Sequence, residues 1–105
     1  MSTDFDPNVG EPIDLDTASS WTANYRNANP DGTLSYYFGT DAYNELLAQE
    51  GCVGIRLYNA INELGESQIV MVGVDSNGDD LYEGLLYDRA YRCPPLCRRK
   101  NPLNS

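Results

Sequence analysis

Histidine is absent from all 105 residues, and that gap removes a large part of enzyme chemistry. The side chain that ordinarily moves protons near neutral pH is missing, as is the commonest zinc ligand. No Ser-His-Asp or Cys-His arrangement can form within the chain. Basic residues are also scarce, seven Lys and Arg against sixteen Asp and Glu, for a formal charge of −9. Phosphate polymers and anionic bilayers repel such a chain, so neither a nucleic-acid nor a membrane partner is expected. No apolar run approaches the ~18 residues that would cross a bilayer. The stretch Met1 to Asp16 has no basic start and no apolar centre, so it does not read as a secretory leader, and a cytoplasmic location is expected.

What is present suits one modest domain. Hydrophobic residues make up 41% of the sequence, enough for a small core and too many for a wholly disordered chain. The charges are segregated. Residues 1–50 hold nine acids and one base, Arg26, whereas 89–100 hold five bases and no acid. The organisation expected is an acidic flexible arm at 1–16, a single α+β domain at 17–92 and a Cys/Pro-rich basic tail at 93–105. Pro7, Gly10 and Pro12 break up the arm.

Two helices are expected next. Asp16 or Thr17 can cap the first, and Ala18, Trp21, Tyr25 and Ala28 fall on one helical face. Asn29-Pro30-Asp31-Gly32 ends it. Leu34 to Phe38 reads equally as strand or helix entry. Thr40 is the expected cap of the second helix, Tyr43, Leu46 and Leu47 form its apolar face, and Gly51 closes it.

From Cys52 the period becomes two. Val53, Ile55 and Leu57 face one way, and Gly54, Arg56 and Tyr58 the other. Asn62 to Glu66 reads as a hairpin loop. Gln68 to Val74 is apolar on both faces, which predicts a central strand. Asn77-Gly78 marks a turn, and a third strand is expected from Gly84 to Tyr91. The fold class predicted is therefore α+β, two N-terminal helices packed on a small, mostly antiparallel three- to four-stranded meander sheet.

The candidate chemistry is thin. Cys93 and Cys97 flank two prolines, and Cys52 opens the first strand of the meander. A Cys93–Cys97 disulfide, a redox pair, a thiolate site using all three cysteines and purely structural thiols all fit these spacings. Structural zinc prefers four ligands, and Cys-x-x-x-Cys is neither the Cys-x-x-Cys of thiol oxidoreductases nor the Cys-x-Cys of A-type iron–sulfur scaffolds. Asp75 to Asp80 lacks the glycine at position 6 and the Glu at position 12 of a calcium loop, so it reads as a turn. Gly51-Cys52-Val53-Gly54 lacks the Lys-Ser/Thr ending of a phosphate loop. Arg56 is expected to stack on an aromatic ring or to pair with an acid such as Asp75. Eight tyrosines and Trp21 serve a thin core or a partner surface equally well.

The run Trp21-Thr22-Ala23-Asn24-Tyr25-Arg26, the block Gly51 to Arg56 with Tyr58, the segment Val72 to Asp75 and the tail Cys93-Pro94-Pro95-x-Cys97 resemble a family of short bacterial proteins of Bacteroidetes type. The likeness spans about residues 17 to 97. It implies no activity, only that Cys52 and the proline-flanked pair belong to one pattern.

The function expected is a non-enzymatic protein-interaction or assembly module. Arg56, Tyr58, Arg98, Arg99 and Lys100 are its candidate contact residues, and a protein partner or self-association is expected. The alternative is a small thiol module, redox-active or metal- or iron–sulfur-binding, on Cys52, Cys93 and Cys97. No catalytic residue, metal or cofactor is assigned.

Overall fold

A computed structural model of the chain describes residues 5–104. The first four residues of the expected arm, and Ser105 of the tail, lie outside that range. The fold is α+β, with two helices and antiparallel pairing. In chain order the elements are α1 (Leu15–Ala28), β1 (Ser35–Tyr37), α2 (Thr40–Leu47), β2 (Gly54–Ile61), β3 (Ser67–Val74), β4 (Leu86–Tyr87) and β5 (Tyr91–Cys93). They fall into two compact units, one of Met1–Val9 with Tyr37–Ala90, the other of Gly10–Tyr36 with Tyr91–Ser105.

The first unit is built on the β2–β3 hairpin. Its loop closes because Asn62 Oδ1 accepts the Leu64 and Glu66 amides at 3.0 and 2.9 Å, while Gly65 takes a left-handed backbone, φ 81°, that other residues resist. The register is continuous from Gly54 opposite Val74 to Ile61 opposite Ser67. Strand β3 is central, in the order β2-β3-β4, as its two-sided apolar sequence predicts. Directly opposed residues share a face of an antiparallel pair. Gly54, Arg56 and Tyr58 therefore stand with Val74, Val72 and Val70, and Ile55 and Leu57 with Gly73 and Met71.

Helix α2 covers the Gly73 end of the second face. A side chain at Gly73 would meet Gln49 Nε2 and Cys52 Sγ within 3 Å, so this glycine permits the close approach. Leu46 and Met71 are completely buried, each contributing about 1.5–3 kcal/mol. Cover thins toward the hairpin loop: Leu57 and Ile61 are 59% and 75% exposed. Thr40 is the first residue of α2, and the cap position is taken by Gly39, which supplies no side-chain bond.

The expected strand from Gly84 to Tyr91 is not one strand. Leu86–Tyr87 extends the three-stranded sheet as β4, whereas Tyr91–Cys93 is β5, paired with β1 in a separate two-stranded sheet. Between them Arg89 sits at φ 66°, a left-handed backbone that no strand can carry through.

The second unit holds α1 and the β1–β5 pair. Its helix starts earlier than the cap at Asp16 or Thr17 predicted, because Asp14 Oδ1 accepts the Thr17 amide at 2.7 Å and takes the capping role itself. That bond holds the Asp14 carboxyl below its ordinary value. Leu15 and Asp16, expected in the arm, are thus helical. No side chain of α1 is buried, and Trp21 stays 61% exposed. The apolar face of α1 consists of two aromatics and two alanines and meets no broad sheet within its own unit. Other bonds assemble this unit: Leu34 donates its amide to the Cys93 carbonyl, and Arg26 Nη1 reaches the Leu103 carbonyl at 2.8 Å.

Candidate functional site

The most connected polar cluster lies on the face of the first sheet that α2 does not cover. After the turn at Asn77-Gly78 the chain doubles back, so that Asp80 bridges to Val74 and the Leu81 amide donates to the Gly73 carbonyl at 2.8 Å. Asp80 therefore stands on the face shared by Val74, Arg56 and Tyr58. Arg56 Nη1 meets Asp80 Oδ1 at 2.5 Å and the Gly78 carbonyl at 3.1 Å. The Tyr58 hydroxyl donates to the other carboxylate oxygen, Oδ2. Reaching from β2 across β3, these side chains form a polar strap over Val72 and Val74, which are 2% and 5% exposed.

The ring of Phe5 completes the cluster. Its centroid lies 5.5 Å below the Arg56 guanidinium, and its amide donates to the Ser76 carbonyl at 3.2 Å. The ring occupies the space a side chain at Gly78 would need. Arg56 thus both stacks and pairs, but its acid is Asp80. Asp75 instead folds its own turn, accepting the Asn77 and Asp79 amides at 2.9 and 3.1 Å.

The electrostatics follow from these bonds. The Tyr58 hydroxyl, then the Arg56 guanidinium, hold the Asp80 carboxyl below the ordinary carboxylate value. The hydrogen bond to Asp80 raises Tyr58 above that of a free phenol, and the same carboxylate raises Arg56. Each oxygen of Asp80 accepts one hydrogen bond, from Arg56 and from the Tyr58 hydroxyl. The cluster clamps a sheet face. The side chains of Arg56 and Asp80 remain 31% and 20% exposed, so solvent screens the pair.

A cleft of about 420 Å3 lies at the end of α2, between Gln49, Glu50 and the segment 80–84. Gln49 bolts it together, donating to the Leu46 carbonyl at 3.0 Å and accepting the Leu85 amide at 3.1 Å. Among the described residues no three His, Cys, Asp or Glu side chains converge as metal ligands would.

The cysteines divide. Cys93 and Cys97 form a disulfide, Cα atoms 4.8 Å apart, and the Leu96 amide closes the small ring onto the Arg92 carbonyl at 2.9 Å. Cys52 is a free thiol, partly buried, donating to the Gly54 carbonyl at 3.2 Å. Arg98, Arg99 and Lys100 are exposed, and the turn that follows them is built by Asn101 and Asn104, both of which donate to the Arg99 carbonyl.

No protein-family model, curated protein or solved structure matches this chain. Its own geometry carries the functional reading.

Of the residues the sequence singles out, Arg56 and Tyr58 are brought together on one carboxylate, and Cys93 is joined to Cys97. Sequence reasoning missed Phe5 and Asp80. Phe5 is an aromatic residue in an otherwise acidic opening, and that contrast was its only signal. Asp80 lies two residues past the turn glycine, where a chain leaving a tight turn re-enters the sheet.

Proposed function

We propose that this chain is a non-enzymatic protein-interaction module. The observation that carries the reading is apolar surface left outside a shallow core. Among the described residues five hydrophobic side chains are buried, while Trp21, Leu57, Ile61, Leu64 and Tyr82 are each more than half exposed. Six of the eight tyrosines, including Tyr37, Tyr58 and Tyr91, are exposed as well. Large exposed apolar and aromatic side chains are what partner surfaces use. The exposed Arg98, Arg99 and Lys100 add a basic contact. The resemblance to Bacteroidetes-type proteins brings no activity to this reading.

Sedimentation at rising concentration, with affinity capture from the source cell, tests it. Self-association or a stoichiometric partner is expected, and the double variant Leu57→Ser, Ile61→Ser should lose it. A monomer at every concentration that retains nothing would refute the module.

The Cys93–Cys97 disulfide supports a second reading, a redox-active thiol module. A three-cysteine metal site would need both sulfurs of that bond released. A cytoplasmic location is part of the first reading, and the reducing cytoplasm would work against the disulfide.

A further inference from the structure

We propose that the outer edge of β2 takes up an extended, lysine- or arginine-bearing segment of another protein as a fourth strand of the sheet. This inference rests on the interaction-module reading and names the partner's chemistry.

Among the described residues β2 pairs with β3 alone, which leaves one long side of Gly54–Ile61 without a strand. At about 3.3 Å per residue the eight residues present a backbone edge of roughly 26 Å. Proteins usually blunt such edges with proline, lysine or a bulge. Strand β2 has none of these: its sequence is GIRLYNAI, its register with β3 is unbroken, and its one charge, Arg56, is held by Asp80.

A groove of about 440 Å3 lies along this strand, lined by Phe5, Asp6, Pro7 and Val9, by Val53 to Leu57 and by Val74 of β3. Side chains alternate along a strand, so a groove on one face of a sheet meets every second residue. Val74 places part of this groove over the face that Gly54 and Arg56 share, and the unbroken run 53–57 brings the rest of it round to the backbone edge, where an added strand would lie.

Charge selects the occupant. The unit that carries β2 holds twelve Asp and Glu against two bases, Arg56 and Arg89, a formal −10. Asp6 lines the groove, and Glu63 follows β2 in the hairpin loop. A second copy of β2 would bring an equal negative charge with it, whereas a basic segment is attracted.

Three capped eight-residue peptides serve as probes: alternating Lys and Val, alternating Glu and Val, and the Lys/Val peptide N-methylated at alternate residues. Binding is read by fluorescence anisotropy, and its location by amide hydrogen exchange. The Lys/Val peptide is expected to bind at least tenfold more tightly than either control and to weaken several-fold between 50 and 300 mM salt, roughly what loss of screened charge attraction gives. It should slow exchange at alternate amides of Gly54–Ile61. Leu57→Lys, a charge placed on an exposed edge position, should reduce binding about tenfold with the dispersed NMR spectrum intact. Equal binding of the Glu/Val or N-methylated peptide, protection elsewhere, or no binding overturns the proposal. So does β2 protection that appears on self-association without peptide. If a captured partner depends on Leu57 and Ile61 but the Lys/Val peptide fails to displace it, edge docking falls while the module reading stands.

Discussion

Among the described residues, four of the five buried hydrophobic side chains, Leu46, Met71, Val72 and Val74, belong to the unit built on Tyr37–Ala90; the fifth, Cys93, belongs to the other. The first unit thus has a small apolar centre between a helix and a sheet. The second has a disulfide, a two-stranded pair and a few hydrogen bonds into its C-terminal turn. Their charges differ as sharply, −10 for the first and +1 for the second, which sets five bases against four acids. A unit too small to enclose apolar surface needs a covalent or bonded staple. Here one chain shows both solutions.

That contrast can be broken from either side. The largest effect is expected from Leu46→Ala, which empties the point where α2 meets β3 and should destabilise the first unit by about 2–5 kcal/mol. Amide exchange resolves it: β2 and β3 should lose protection, and the Leu34 amide bonded to Cys93 should keep its own. Equal loss in both units would mean that they share one cooperative core.

Cys93→Ser is the reciprocal change. Opening so short a ring should remove about 2 kcal/mol from the second unit by the chain-entropy relation. The Leu34 and Leu96 amides should exchange faster while those of β3 hold. A first unit that melts earlier in this variant would show that the disulfide supports more than its own ring.

The smallest effect is titration of the strap. Because the Asp80 carboxyl is held below its ordinary value, its contribution is complete above the unfolded carboxylate value and is lost as pH falls through the lowered folded one. Tyr58 has the opposite sign. Raised by Asp80, it contributes below the ordinary phenol value and loses that contribution as pH rises through the raised one. The melting temperature of the first unit should therefore fall by a few degrees at each extreme, and Asp80→Asn should flatten the acid limb. An unchanged acid limb in that variant would show the strap to be without weight.

The sequence made local geometry legible and left through-space choices hidden. The β2–β3 hairpin, the central place of β3 and the helix around Leu46 follow from period, turn residues and two-sided hydrophobicity. The division of the expected last strand into β4 and β5 does not, because nothing in Asp88-Arg89-Ala90 announces a left-handed arginine. The apolar stripe of α1 is regular, yet periodicity cannot say whether a surface exists to receive it. For the site, Arg56 and Tyr58 were visible as candidates, but their acid was not. Asp75 and Asp80 flank the same turn, and only the return path of the chain decides which of them faces β2. The cysteine spacing allowed the disulfide without requiring it.

The connectivity of the two units has a consequence for the order of folding. Tyr37–Ala90 is inserted whole between the two segments of the second unit, so β1 must wait for β5, which lies beyond the insert. Joining them across an unfolded insert would cost on the order of 3 kcal/mol in closure entropy, and a folded insert removes most of that penalty by fixing the path between its ends. On the ribosome the first unit should mature early and alone. The second should close only once Tyr91 to Cys97 have emerged, so that its disulfide marks a chain whose first unit is already made.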